Sequence, residues 1–230
     1  MRPLLLDLFC GAGGAAMGYH RAGFEVVGVD HKDQPNYPFE FHQADALEFV
    51  AEHSARYSVI HASPPCQRYT GMRKITRSRF GRIRSNPNPP DLIAATRCAL
   101  IDTGKPWVIE NVQGSPLNTV IILCGASLGL EHLARHRHFE SSVLLFAPPC
   151  SHYSNDYSIG VYGSRPDGRR VSYPQHRLTR VASSLEEARD AMDIDWMDWE
   201  EITQAIPPAY TEYIGRQLME YLHNKGKVTG

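Results

Sequence analysis

Residues 4–9, Leu-Leu-Leu-Asp-Leu-Phe, form an almost unbroken apolar run that stops at a glycine-rich turn, Cys10-Gly11-Ala12-Gly13-Gly14. A short run without a polar face fits a strand covered on both sides, which is the setting of a parallel sheet. The pattern then repeats. Ala15 to Ala22 reads as a short helix stopped by Gly23, and Glu25 to Val29 as a second strand ending at Asp30. Residues 31–38 read as a loop, Ala46 to His53 as a helix, and Tyr57 to His61 as the next strand, ending at Pro64-Pro65. Strands and helices alternating through short links predict an α/β fold with a parallel sheet.

The alternation continues with a helix over Asp91–Asp102, a strand over Pro106–Ile109 that ends at Glu110-Asn111, and a strand over Val120–Cys124. From about 140 to 177 prolines, glycines, serines, tyrosines and arginines dominate, so an irregular lobe is expected there. Ser184-Leu-Glu-Glu187 has the capping-box pattern and opens a short helix. Asp198 to Ile206 reads as another, and Pro207-Pro208 opens a final amphipathic helix to about His223, with Pro208 near its first position. The division predicted is 1–139 for the catalytic and cofactor-binding part, 140–183 for the small lobe, and 184–230 for helices returning to the first part.

The chain has 230 residues, enough for one domain or a domain with a small lobe. Its five cysteines are odd in number and contain no CxxC pair, which fits reduced thiols in a cytoplasm rather than a disulfide framework. Leu4-Leu5-Leu6 is interrupted by Asp7 and the glycines, which argues against a signal peptide or anchor, and Val120–Leu130 is too short to span a bilayer. The net charge of −1 is uninformative, but its distribution is not. Pro64 to Pro90 holds Arg68, Arg73, Lys74, Arg77, Arg79, Arg82 and Arg84 and no acid, while Glu186 to Glu201 holds eight acids and one arginine. The basic stretch reads either as a solvated loop or as one that grips phosphates and closes over nucleic acid. The acidic one reads as a solvated face turned away from any such ligand.

Gly11-Ala12-Gly13-Gly14-Ala15-Ala16 fits G-x-G-x-x-G/A between a strand and a helix, where glycine lets the backbone turn and approach a ligand. Asp30, closing the second strand, suits ribose hydroxyls. The motif alone does not separate NAD from S-adenosylmethionine. The short interval to Asp30 leans against NAD. Asp45 reads equally as the end of a third strand near an adenine or as a helix N-cap. In an open parallel sheet ligands bind at the carboxyl ends of strands, and Gly11 to Gly14, Asp30, Cys66 and Glu110 all fall there. Cys66 on its own reads as a small buried hydrophobe. Beside a nucleoside cofactor, a glutamate and a cationic loop it suggests more. A thiolate can add to an electron-poor ring carbon while a carboxylic acid protonates a ring nitrogen, leaving the neighbouring carbon able to take a methyl group. That needs a Glu110 pKa raised by burial and a Cys66 thiol lowered by nearby arginines.

Asp7-Leu-Phe-Cys-Gly-Ala-Gly-Gly14, Pro64-Pro-Cys-Gln67 and Glu110-Asn-Val112, in that order, resemble the DNA (cytosine-5) methyltransferases. The resemblance runs from residue 4 to about 146 and returns at the last helix. It implies a Rossmann-like S-adenosylmethionine-dependent methyltransferase sheet. Phe9, Gly11 and Gly13 would shape the cofactor pocket with Asp7, Gly14 and Pro65 from the same motifs. Asp30 would meet the ribose, and Asp45 would sit near the adenine. Cys66 would attack C6 of a flipped cytosine, Glu110 would contact N3, and Arg137 would steady the base. Arg135 would serve as a phosphate or structural partner. The implied partner is double-stranded DNA in a bacterial or phage-infected cytoplasm, with no obligate protein partner. Gln67 would open the basic loop, which would hold phosphates and fill the space left by the flipped base.

The chain departs from the family pattern in three places. Leu133 replaces a glutamine before the arginine stretch, Gln204-Ala205 replaces a Gly-Asn pair before the last helix, and the recognition region is short. Arg165, Arg169, Arg170, Tyr157, Tyr162 and Tyr173 are its candidate DNA contacts, and they predict a short recognition site. Cys124, Cys150 and His152 lack a fourth ligand at helpful spacing, so no metal site is expected. Cys10 and Cys98 read as core thiols, Trp196 and Trp199 as packing. The alternatives are a catalytically inactive DNA-binding homologue and a related enzyme modifying pyrimidine C5 with another donor or on free nucleotides. A nicotinamide oxidoreductase would account for the glycine turn alone.

Overall fold

A computed structural model describes residues 2–66, 69, 91–150, 157–168, 170–172 and 178–228. Gln67, Arg68, Arg73, Lys74, Arg77, Arg79, Arg82, Arg84, His152, Arg169 and Tyr173 lie outside these residues. Only the backbone of Arg170 is described.

The elements run β1 (Leu4–Leu8), α1 (Gly14–Arg21), β2 (Glu25–Asp30), β3 (Glu40–Gln43), α2 (Ala46–His53), β4 (Val59–Ala62), α3 (Ile93–Asp102), β5 (Trp107–Asn111), β6 (Ile121–Cys124) and β7 (His136–Ser141). Next come β8 (Tyr157–Gly160), β9 (Arg170–Ser172), β10 (Leu178–Val181), α4 (Leu185–Met192), α5 (Trp199–Gln204) and α6 (Pro208–Val228). The main sheet has the order β3-β2-β1-β4-β5-β7-β6. All its pairings from β3 to β5 are parallel, and β7 runs antiparallel to both β5 and β6.

Strand alternation sorts the side chains onto two faces. Leu5, Val26, Val59 and Val108 pack with Tyr19 of α1 and with Tyr210, Ile214 and Leu218 of α6. Leu6, Val27, Ile60 and Ile109 face the other way, toward Phe49, Val50 and Leu100 of α2 and α3. The strand order reverses at β1, which is flanked by β2 on one side and β4 on the other, and this reversal opens the crevice where ligands settle in such sheets.

Two parts of the expected order need correction. The stretch from Arg135 onward contains a full strand, β7, and the segment expected to be irregular contains a second sheet of order β8-β10-β9. A third core cluster joins that small sheet to the α4–α5 region. In it Val161 and Ala182 pack with Ala188, Met192, Met197 and Ile202, and with Ala12 of the glycine turn. Among the described residues no helix is long and apolar enough to cross a membrane.

Candidate active site

The carboxyl edge of β1, β2, β4 and β5 gathers the residues singled out by sequence. The chain leaves β1 through Phe9, which holds a positive φ of 57° without being glycine. A non-glycine residue in that region carries strain that packing must offset, and such residues cluster at ligand sites. Gly11 comes next with φ 50°, and no atom lies within 4 Å of where its Cβ would stand, so the backbone there is open to approach. Gly13 caps α1 in the left-handed conformation. Its Cβ would meet Pro38 at 2.7 Å, and one on Gly14 would meet the Ile206 carbonyl oxygen at 2.4 Å. Only glycines let these segments close on the turn.

Asp30 ends β2 and locks the turn. Its Oδ2 accepts from the Gly11 amide at 3.1 Å and its Oδ1 from the Lys32 amide at 3.1 Å. Oδ1 also lies 3.1 Å from His31 Nδ1, so it is Oδ2 that keeps a further lone pair for a ligand hydroxyl. Asp7 lies inside β1, not at its end, and is fully buried. Neither of its carboxyl oxygens has a hydrogen-bond partner among the described residues. Burial, reinforced by the charge of Asp30, pushes its pKa well above the usual carboxylate range. Such orphaned buried oxygens are rare in folded proteins and fit a site completed by a bound molecule. Asp45 lies beyond β3 and forms the N-cap of α2. Its Oδ1 accepts from the amides of Leu47 and Glu48 at 2.8 and 3.1 Å, and the residue is exposed.

Cys66 comes after Pro64-Pro65 off the end of β4. Pro64 is held from β5, because Asn111 Nδ2 donates to its carbonyl at 2.8 Å. Glu110, inside β5 and 6% exposed, pairs with Arg137 of β7, whose Nε lies 3.0 Å from Glu110 Oε1. That pair exists because the β5–β7 ladder sets Glu110 opposite Phe139, two residues from Arg137 on the same face. Burial raises the Glu110 pKa, against the opposing pull of Arg137, Arg135 and a hydrogen bond from Ser63. The Cys66 thiol differs from expectation. Burial and then the negative charge of Glu110 push it up, and Arg137 and Arg135 pull it down by less.

Arg135 is held inside the protein through its two terminal nitrogens, while its buried Nε has no hydrogen-bond partner among the described residues. Its guanidinium donates to the carbonyls of Val161, Thr203 and Ala205 at 3.0, 3.0 and 3.2 Å. Of its two readings, phosphate or structural partner, these bonds favour the structural one over a DNA contact, because the guanidinium joins the small sheet to the segment before α6. Arg165 is exposed. Leu133 is buried in the cluster with Val161 and Ala182.

Several site residues carry no motif. Tyr19 Oη and His61 Nδ1 are 3.0 Å apart, His61 Nε2 and Ser63 Oγ 2.9 Å, and Ser63 bonds Glu110. This line of polar groups runs from α1 across β4 to the candidate acid. Burial depresses the His61 pKa to about 3, so the ring is neutral and offers one donor and one acceptor. Trp196 Nε1 donates to the Ala12 carbonyl at 2.8 Å, so a residue expected only to pack also braces the glycine turn. His61 and Trp196 have no sequence signal as site residues, because strand pairing and a contact distant in sequence bring them in.

No protein-family model matches the chain. In sequence it is 28% identical over 119 residues to the Type II methyltransferase M.FnuDI of Fusobacterium nucleatum, covering 48% of this chain and 32% of that protein. It is 28% identical over 129 residues to the Type II methyltransferase M.HgiDI of Herpetosiphon aurantiacus, covering 50% and 38%. The matches therefore span well under half the length of these relatives. In structure it resembles a protein described as a DNA modification methyltransferase encoded within an E. coli prophage, with a TM-score of 0.60, 14% identity and coverage of 96% and 99% of the two chains. It also resembles the S. pombe Dnmt2 methyltransferase, with a TM-score of 0.57, 12% identity and coverage of 96% and 99%. At such identities the likeness is one of fold, and the fold is the Rossmann-like one of S-adenosylmethionine-dependent methyltransferases. The chain is thus similar in sequence to Type II methyltransferases and shares its fold with DNA methyltransferases.

Proposed function

We propose that this chain transfers a methyl group from S-adenosylmethionine to C5 of cytosine in double-stranded DNA, through a covalent bond between Cys66 and C6 of a flipped base. The observation that carries the reading is the Glu110–Arg137 pair behind Cys66, on the same sheet edge as the open glycine turn. The cofactor would be held by Phe9, Gly11 and Gly13, with Asp30 toward the ribose and the Asp7 carboxyl beneath, and it supplies an electrophilic methyl group. Everything else falls to the chain. The upward shift that burial gives Glu110 favours its protonated form, which would donate to the ring N3 and make C6 more electrophilic. Arg137 holds that carboxyl in place and offsets negative charge on the base as Cys66 Sγ bonds to C6. The Cys66 thiol must first lose its proton to solvent; burial and then the charge of Glu110 raise its pKa, so a neutral Glu110 eases that loss. Once C5 has been methylated, its proton passes to solvent water, the C5–H electron pair re-forms the C5–C6 double bond, and the C6–S bond breaks to release Cys66 as a thiolate.

Residues 140–183 are assigned as the target-recognition lobe, with Arg165 presented on its surface, and the basic stretch from Arg68 to Arg84 as the phosphate-gripping loop. The test is a duplex carrying 5-fluorocytosine together with S-adenosylmethionine. A dissociation-resistant protein–DNA adduct is expected for the native chain and none for Cys66→Ser. Nucleoside analysis of ordinary methylated DNA should give 5-methylcytosine. Label found on an exocyclic nitrogen would overturn both the site of transfer and the role of Cys66.

A further inference from the structure

Cys124 ends β6 and stands directly opposite His136, which opens β7, in their antiparallel ladder. Directly opposed residues share a face, with Cβ atoms about 5 Å apart. The chain beyond β7 then doubles back. Ser127 Oγ donates to the Pro149 carbonyl at 2.9 Å, and Cys150 Sγ comes within 3.5 Å of His136 Nε2. The three donor atoms, two sulfurs and one imidazole nitrogen, all lie within 4.8 Å of one another. A tetrahedral zinc ion with Zn–S near 2.3 Å and Zn–N near 2.0 Å spaces its ligands about 3.5–3.8 Å apart, so the donors need only a small contraction to reach it. A thiol–imidazole hydrogen bond needs one sulfur beside the ring, whereas two sulfurs converge here from separate segments of the chain.

We infer that Cys124, His136 and Cys150 bind one zinc ion, independently of the methyl-transfer reading. Two thiolates and an imidazole suit zinc over magnesium or calcium, which take oxygen ligands. Binding releases both thiol protons to solvent, and the fourth position is open to water or another ligand. Sequence spacing hides this site, because the ladder and not a CxxC loop brings Cys124 to His136. The ligand that completes the two cysteines stands across the sheet rather than along the chain.

The ion would staple the 142–150 connection to the edge of the sheet. It would also fix the first residue of β7, while the next residue, Arg137, holds Glu110 from the opposite face.

The test is metal content of the full chain prepared with zinc present, then cobalt(II) exchange. About one zinc ion per chain is expected, and a sulfur-to-cobalt charge-transfer band whose intensity fits two thiolates. Cys150→Ser, at an exposed position, should halve that band and weaken zinc binding at least tenfold. Cys98→Ser, at a thiol that is exposed on α3 and not in the core as its sequence suggests, should leave both unchanged. A native chain that retains no stoichiometric zinc and shows no such band overturns the inference. A Cys150→Ser chain with an undiminished band does so as well, as does a Cys124–Cys150 disulfide found by non-reducing peptide mapping. None of these readouts involves methyl transfer, so their failure leaves the proposed activity untouched.

Discussion

Ser63 joins two roles in one hydroxyl, since it bonds both His61 Nε2 and Glu110. The line Tyr19–His61–Ser63–Glu110 can point its protons toward an ionised Glu110, or accept from a protonated one with the order reversed. Ser63 thus supports Glu110 in either state but lowers its pKa by favouring the charged one. Ser63→Ala should therefore move the alkaline limb of the rate profile to higher pH and reduce turnover about tenfold, with KM for the methyl donor unchanged. Methyl-transfer rates across pH check this, and a stationary limb would detach Ser63 from Glu110. His61 makes a separate prediction. Its folded pKa, about 3, lies below the ordinary 6.5, so protons favour the unfolded chain. The stability it contributes is complete above about pH 6.5 and is lost as pH falls toward 3. Asp7 and Glu110, both raised, act in the opposite sense and lose stability as pH rises through their folded values. Urea midpoints at pH 7 and 5 for the native chain and His61→Gln isolate the histidine. The variant should lose less on acidification, by a slope approaching one proton.

The α1–α6 contact is built on missing side chains. A Cβ at Gly18 would stand 2.1 Å from both the Pro208 carbonyl oxygen and Thr211 Oγ1, and one at Gly215 would stand 2.6 Å from Ala22 Cβ. The helices touch backbone to backbone, and Thr211 Oγ1 donates to the Ala15 carbonyl at 2.8 Å. Gly18→Ala should cost about 3 kcal/mol, even though alanine is the better helix former in isolation. Denaturant unfolding measures it, and a neutral or stabilised variant would mean the helices can part without loss. Most elements are legible in the sequence because apolar runs ending at Gly11, Asp30, Pro64 and Glu110 have clear periods and clear stops. β7 is not, because His-Arg-His-Phe-Glu-Ser is polar at most positions, its side chains being spent on Glu110 and, through Glu140, on Arg97 of α3. The small sheet is hidden because β8 pairs parallel with β10, a strand distant in sequence, and because β9, which pairs antiparallel with β10, is only three residues long. Ser184 does cap its helix, but Glu187 bonds Ser183 and Arg180 instead of closing the box, and Asp198 with Glu201 forms the complete one.

At the scale of the whole molecule, the charges are segregated about a near-neutral total of −1. The basic stretch begins two residues after Cys66, and the acidic residues lie around α4 and α5, where Glu187 pairs with Arg180 and Asp193 with Arg21. Affinity for duplex DNA should fall steeply with salt. Replacing Arg77, Arg79, Arg82 and Arg84 by alanine should flatten the log–log slope by about 3–4. Fluorescence anisotropy across salt concentrations checks this, and salt-independent binding by the native chain would remove the loop from the interface. Cys66, Glu110 and the glycine turn are legible because each sits in a short motif. The supports of Asn111, His61 and Trp196 are not, because sheet pairings and the return of the C-terminal segment create them. That return has a consequence for synthesis. Trp196 and Ile206 reach back to Ala12 and Gly14, so the turn emerges from the ribosome long before the residues that brace it. On the proposed mechanism, a nascent chain halted before residue 196 would already hold Cys66 and Glu110 while its glycine turn still lacked Trp196 and Ile206, so methyl transfer would wait on the segment that supplies them.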